Sequence, residues 1–364
     1  MLTKIITLQL LFIIYPCIAI TFQCRDQNNQ NVDWFIFYKI ARMHKSSIEL
    51  ARNGSAFLYM DAKDRKWLLS EVSIENAKQS IGFTLQQYYD AINNLEIFSV
   101  MYNDEFPYPE NETVSATAGH AKGVVVFSKM NGFWLIHSVP KFPRNRTYEY
   151  PKSGLLYGQM GLCVSMNYSQ LHKIALHLYY SHIFIYSYKL PSHIAADIPL
   201  LQKVVSKEHQ HGSPFYRQDL IYSTDGQEFM HFAKIAAFKK DLYFDLLAPA
   251  IKASLAVGTW QHETSINHNL HSWCTDQSPY KVLDVKNITL PFNITFSNLL
   301  DHSKFAVSII DYHKIPVPWV CIGDINRQQH QLVRAGGTMC FVDFEVHAAY
   351  TSMITECWPC TSVV

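Results

Sequence analysis

The chain has 364 residues, 48% hydrophobic and 17% charged. That balance excludes disordered, collagen-like and coiled-coil proteins, and the length allows roughly two domains or one large domain with two similar halves. Lys plus Arg number 31 against 30 Asp plus Glu, so no fixed charge advertises a nucleic-acid partner at pH 7. The 17 histidines, which titrate near pH ~6.5, would make the same chain strongly positive in an acidic compartment.

Met1 to Ala19 reads as a secretory signal. Lys4 supplies the positive end, Ile5 to Ile14 the apolar stretch, and Cys17-Ile18-Ala19 the small residues of a cleavage site. The stretch is shorter than the ~20 residues of a spanning helix, so the mature chain is expected to act free of the membrane. Cys17 leaves with the signal. Cys24, Cys163, Cys274, Cys321, Cys340, Cys357 and Cys360 remain, and on an oxidising route they should mostly pair, with one left over. Cys357-Trp358-Pro359-Cys360 admits zinc as a rival reading, weakly, because no second CxxC accompanies it. Sequons at Asn53, Asn111, Asn145, Asn167, Asn287 and Asn293 point to a glycosylated protein with these asparagines on its surface.

Further along, Thr84 to Asn93 has helical spacing, with Leu85, Tyr88 and Ala91 on one face. Gly123 to Phe127 (GVVVF) is a buried strand by its β-branched run, and Gly132 to Val139 follows it across an Asn131-Gly132 hairpin turn. Gln170 to Tyr180 places Leu171, Ile174, Ala175 and Leu178 on one helical face. Asp241 to Ser254 reads as a helix; Phe305 to Ile310, Trp319 to Ile325 and Thr338 to Val346 read as strands. Gly336-Gly337 reads as a turn rather than a phosphate loop, since no GxxxxGK surrounds it. Strands alternate with helices, which predicts an α/β fold with mixed β-sheets flanked by helices. A weak boundary around Ser187 to Pro199 divides the mature chain into residues 20–190 and 191–364.

Two segments share a pattern. Gly119-His120-Ala121-Lys122-Gly123 runs into GVVVF, and Asp301-His302-Ser303-Lys304-Phe305 runs into FAVSII. In an extended chain residues i and i+2 face the same way, so each imidazole shares its direction with an ammonium. That couple suits phosphate: lysine neutralises an oxygen, while histidine attacks phosphorus or protonates a leaving oxygen. The spacing alone is not specific, because a chain this rich in His and Lys carries such pairs by chance. Their context is more telling: each pair opens a hydrophobic strand, and the two lie half a chain length apart, as expected of two pseudo-symmetric halves donating to one site.

The surrounding segments carry a family resemblance. Cys24-Arg25-Asp26 with Val32-Asp33-Trp34-Phe35 and Tyr38-Lys39, GHAKGV at 119–124, GFWLIHSVPKFP at 132–143, YGQMGLC at 157–163, FAK at 232–234 with DLY at 241–243, DHSKF at 301–305, CIGDINR at 321–327 and RAGGTMC at 334–340 together resemble the deoxyribonuclease II family over nearly the whole mature chain. That family is similar to the phospholipase D superfamily, in which two phospholipase D-like halves bring two His-x-Lys motifs to one junction.

The resemblance implies a secreted or lysosomal acid endonuclease. It would cut DNA without sequence preference, as a monomer or a homodimer, with no divalent metal and no other cofactor, leaving 3′-phosphate ends. The sequence itself has no HExxH, no EF-hand loop and no run of carboxylates at ligand spacing. His120 or His302 would attack phosphorus and the other would act as acid and then base. Superfamily precedent favours His120 as nucleophile. Lys122 and Lys304 would clamp the phosphate; His137 matches a family histidine that matters for activity, against a core histidine on a strand. Asn326 matches a polar residue that supports the second motif, against a turn cap, and Asp324 beside it reads as an exposed loop residue, against a carboxylate that orients a histidine. The family pattern pairs Cys24 with Cys163 and Cys321 with Cys340, leaving Cys274 to either Cys357 or Cys360.

Two departures stand out. Phe305 replaces a common tryptophan and loses its indole donor, and Ala335 interrupts a glycine run, which matters if that position needs positive φ. Two other readings compete: a phospholipase D-like lipid phosphodiesterase, and a secreted DNA-binding or host-interaction protein that has lost catalysis.

Overall fold

A computed structural model of the chain describes residues 20–107, 117–261, 269–274, 278–310 and 315–360; the signal segment and Asn111 lie outside them. Among these residues two sheets carry the architecture. The first contains β1 (Trp34–Lys39), β2 (Phe57–Asp61), β3 (Leu68–Leu69), β4 (Phe98–Tyr102), β5 (Gly123–Phe127), β6 (Asn131–His137), β7 (Gln159–Asn167) and β8 (Ile185–Lys189). The second contains β9 (Tyr216–Tyr222), β10 (Glu228–Lys234), β11 (Leu255–Thr259), β12 (Val282–Leu290), β13 (Ile294–Ser297), β14 (Lys304–Ser308), β15 (Trp319–Gly323), β16 (Gly336–Val342) and β17 (Ile354–Cys357).

The orders are β3-β2-β1-β7-β6-β5-β4-β8 and β13-β12-β11-β14-β15-β16-β10-β9, with β17 added beside β12. Read along the stretches β2-β1-β7-β6-β5-β4-β8 and β9-β10-β16-β15-β14-β11-β12, both sheets have antiparallel neighbours up to the last pair, though the chain visits the strands in different orders. In each half the strand that follows the His-x-Lys motif, β5 or β14, takes the same place. The halves differ at one edge: β4 pairs antiparallel with β8, whereas β11 pairs parallel with β12.

The sheets pack face to face, so their strands are covered on both sides and read as continuous apolar runs. Trp34, Ile36 and Tyr38 of β1 enter the core between the sheets, and Phe35 and Phe37 enter an outer core under the helix Ser80–Asp90. Likewise Phe305 and Val307 of β14 face the shared core while Ala306 faces an outer core under the helical segment Leu242–Ile251. Fully burying one such Val or Phe side chain contributes roughly 1.5–3 kcal/mol. Trp34 meets Phe341 across the seam, ring centroids 5.4 Å apart.

Several expectations change on contact with this architecture. The first sheet is antiparallel throughout, and only the second is mixed. The helix expected over Thr84 to Asn93 spans Ser80–Asp90, and Gln79 caps it by accepting from the N–H of Ile81. The strand expected over Thr338 to Val346 ends at Val342; Asp343 accepts from the N–H groups of Glu345 and Val346 and starts the helix Phe344–Thr351. The run Cys-Phe-Val-Asp-Phe-Glu-Val alternates like a strand, but the aspartate satisfies two orphan donors, and local capping prevails over alternation. Gly336-Gly337 is the start of β16 rather than a turn, and a Cβ at Gly337 would lie 2.3 Å from the Phe232 carbonyl of the neighbouring strand.

The disulfides are Cys24–Cys163, Cys274–Cys360 and Cys321–Cys340, with Cys357 free; Cys360 is thereby removed from any zinc site. Asn53, Asn145, Asn167 and Asn293 are exposed. Asn287 is half-buried, and its amide donates to Glu356 at 2.6 Å. Among the described residues no helix is long and apolar enough to cross a membrane.

Candidate active site

The two motifs meet at the seam. His120, Lys122, His302 and Asn326 line one cavity of about 440 Å³ together with Asp104, Trp260, Gln328 and Arg334. Lys304 and His137 do not line it. Lys304 is buried beneath its own motif, donating to the carbonyl of His302 at 2.7 Å, with Nζ 3.0 Å from His302 Nδ1 and 3.3 Å from Nε2. His137 ends β6 on the outer-core side, edge-on to Phe142 with centroids 5.4 Å apart, and neither ring nitrogen has a hydrogen-bond partner.

Each catalytic candidate is held by the opposite half. The N–H of His120 donates to the Ala335 carbonyl at 2.8 Å, and its Nδ1 meets the carbonyl of Asp324. In return, the N–H of His302 donates to Gly158 at 2.9 Å, while its Nδ1 lies 3.1 Å from both the Ser138 carbonyl and Gln159 Oε1. Carbonyl oxygens only accept, so in His120 Nδ1 carries the hydrogen and Nε2 keeps its lone pair, whereas the His302 Nδ1 stands between these acceptors and a donor, the Lys304 ammonium at 3.0 Å. Gly158 is needed for this approach: a Cβ there would lie 2.3 Å from the carboxylate of Asp301. Asp301 anchors the second motif to the first sheet, accepting from Tyr38 at 2.7 Å and from the Ser303 hydroxyl at 2.6 Å.

Electrostatically the empty cavity is rich in cations. Burial, then the Lys122 and Lys304 ammoniums, hold His120 well below the usual imidazole range. Burial, Lys304 and Lys122 do the same to His302. Burial pushes Lys304 itself well down, and Lys122 adds to the effect. Burial alone would raise Asp104, but Lys122 reverses this and keeps it below the ordinary carboxylate range. An anion entering here would favour the charged form of a neighbouring imidazole. Among the described residues no group of three or more His, Cys, Asp or Glu is placed to hold a metal ion.

Asp324 departs from its expected place on an exposed loop. It is buried, burial pushes its carboxyl up to about 7, and it is the main-chain carbonyl, not the carboxylate, that holds His120. Asn326 donates to Gln328 at 3.4 Å, while its Oδ1 has no partner. Arg327 between them is fully buried against Asp241 and Asp284, at 2.9 and 2.7 Å, and pins this loop. Phe305 packs in the shared core, 5.4 Å from the Tyr350 ring, where an indole donor would have no evident use. Ala335 is not at positive φ; Gly336 is, at 153°. The sequence reading passed over Asp104, Trp260 and Gln159. Asp104 closely follows a strand and carries no motif, Trp260 is 140 positions from the first motif, and only the fold brings them together.

The two sheets meet at a cavity lined by His120, His302, Lys122 and Arg334, an arrangement whose charge suits an anionic group. The chain belongs to the deoxyribonuclease II family and is a nuclease of that type: the family model described as Deoxyribonuclease II matches residues 23–360. It is 41% identical to cell death-related nuclease 6 of Caenorhabditis elegans, over 93% of this chain and 90% of that protein. To deoxyribonuclease-2 of C. elegans it is 37% identical, over 92% and 93%, and to deoxyribonuclease-2-beta of Rattus norvegicus 35%, over 93% and 92%.

Proposed function

We propose that the chain is an acid endodeoxyribonuclease that hydrolyses DNA phosphodiesters without a divalent metal. The observation that carries this reading is the convergence of His120, with Nε2 unprotonated, and His302 on one cavity that also holds Lys122 and Arg334. His120 Nε2 attacks phosphorus as the P–O5′ bond breaks, and His302, protonated once the phosphate is bound, gives its proton to the departing 5′-oxygen. The resulting phosphohistidine is cleaved by water, whose proton His302 takes back, and the phosphate stays on the 3′-oxygen. Lys122 and Arg334 neutralise the charge that grows on phosphorus oxygens, a task a metal performs elsewhere; Lys304 acts from behind His302. Asn326 Oδ1 and Nδ2 are available to the substrate.

Duplex DNA presents one charge per ~1.7 Å of axis, so a chain of net charge +1 binds it well only when its histidines are charged. Binding is expected to be non-specific, stronger at acid pH and steeply weakened by salt. The sequons and the N-terminal segment suit the secretory route, with a lysosomal or extracellular destination. Nicking of plasmid DNA at pH ~5 in EDTA, with end-group analysis of the products, tests the reading; no cleavage, or 5′-phosphate ends, would overturn it. A phosphatidylcholine assay run alongside separates it from a lipid phosphodiesterase.

A further inference from the structure

Asp104 occupies the place where a phosphate is expected. It follows β4 by two residues and is fixed by its neighbour: Asn103 donates from its amide to the carbonyls of Val139 and Phe142 at 3.1 and 2.9 Å, and from its N–H to Phe184 at 3.1 Å. The Asp104 side chain, 9% exposed, pairs through Oδ1 with Lys122 and through Oδ2 with Arg334 Nη2 at 3.5 Å, and Oδ2 lies 3.5 Å from His120 Nε2. One carboxylate therefore stands in front of the atom assigned as nucleophile and pairs with both cations assigned to the phosphate. A phosphodiester entering the cavity has to take those partners, which leaves two anions in contact at a site shielded from water.

Resting on the reading of the cavity as a phosphodiester site, we infer that Asp104 is a placeholder anion that takes up one solvent proton when the substrate phosphate displaces it. An O–H bond forms on the carboxyl, its charge is removed, and the phosphate takes its place in front of His120 Nε2. Asp104 is then a catalytic residue that couples substrate binding to acid pH. The groups facing it are His120 and Lys122 at the start of β5, His137 at the end of β6, His302 and Lys304 beside β14, Asp324 after β15, and Arg334. Cations outnumber anions among them, so Asp104 stays ionised while the cavity is empty. The incoming phosphate reverses that balance and makes the protonated form the stable one.

Sulfate is a suitable probe because its charge is constant over the relevant range. Its affinity is measured for the wild type and Asp104→Asn at constant ionic strength from pH ~4.5 to ~6.5, the span in which His and perturbed carboxyl groups titrate. One coupled proton changes affinity by up to about tenfold per pH unit. The slope should therefore be shallower in Asp104→Asn by as much as that factor, with tighter binding at the upper end. In the wild type alone, independent of how the variant folds, sulfate should induce the carbonyl stretch of a protonated carboxyl in the infrared difference spectrum. Equal slopes with no such band would overturn the inference, as would uniformly weaker binding by the variant. Failure of sulfate to bind either protein, or to inhibit nicking, would instead reject the phosphodiester cavity.

Discussion

Lys234 donates from a buried ammonium to the carbonyl of Arg334 across 2.7 Å, and to those of Gln331 and Leu332 at 3.0 Å. The lysine ends β10, and the three carbonyls belong to the segment that brings Arg334 to Asp104 and the Ala335 carbonyl to His120. Burial lowers Lys234 to about 8, so at acid pH it is charged and makes all three bonds. Lys234→Met leaves three carbonyls without their donor, each worth roughly 1–3 kcal/mol when left unsatisfied. The variant should melt at lower temperature, and its kcat should fall more than its DNA affinity. A variant with wild-type melting and kcat would show that the segment holds itself.

His120→Ala and His302→Ala should each reduce plasmid nicking at least about 100-fold, the lower range for losing acid–base function, while folding and DNA binding persist. Gel-shift binding measured beside nicking separates the two effects. Substantial nicking by either variant would remove that histidine from the chemistry.

His137 is enclosed by the outer core, and burial followed by the Lys122 charge lowers it to about 3. In the folded chain it stays neutral where the unfolded chain would bind a proton, between about 3 and the ordinary value near ~6.5. Its effect on stability is therefore lost progressively as pH falls through that window. His137→Phe should gain stability relative to the wild type on going from neutral to acid pH, with nicking reduced far less than in His120→Ala. A loss of nicking equal to that of His120→Ala, with stability intact, would place His137 in the reaction.

Asp324 behaves in the opposite sense. Burial raises it to about 7, so the folded chain holds a proton that the unfolded chain has released above pH ~4, and stability falls as pH rises toward 7. Asp324→Asn removes that dependence. Denaturant unfolding should show the variant gaining on the wild type by roughly 1.4 kcal/mol per pH unit across the window. Parallel pH profiles for the two proteins would argue against a buried, proton-holding carboxyl.

Much of the molecule was legible before any coordinates. The valines of β5 marked a hairpin whose register now pairs Val124 with Leu135, but the turn falls at Lys129-Met130, and Asn131-Gly132, read as the turn, begins β6 with Gly132 opposite Phe127. Leu171, Ile174, Ala175 and Leu178 marked the buried face of a helix that the structure begins at Leu171. Errors arose where a local preference competed with the pattern: Asp343 turned an alternating run into a helix, and glycines read as a turn began a strand because a neighbouring backbone came too close for a side chain.

For the site, the sequence by itself marked the two His-x-Lys pairs, His120 with Lys122 and His302 with Lys304, because side-chain type and i, i+2 spacing are properties of a short segment. Tertiary structure alone decided where they stand and what holds them. His120 is set by the carbonyl of Asp324, 204 positions away, and His302 by Ser138, 164 positions away. Periodicity says which face of a strand is buried but not which other strand it meets. Only the packing of one sheet on the other could turn Lys304 away from the cavity, leave His137 outside it, and bring Asp104, which no motif marks, against the first histidine.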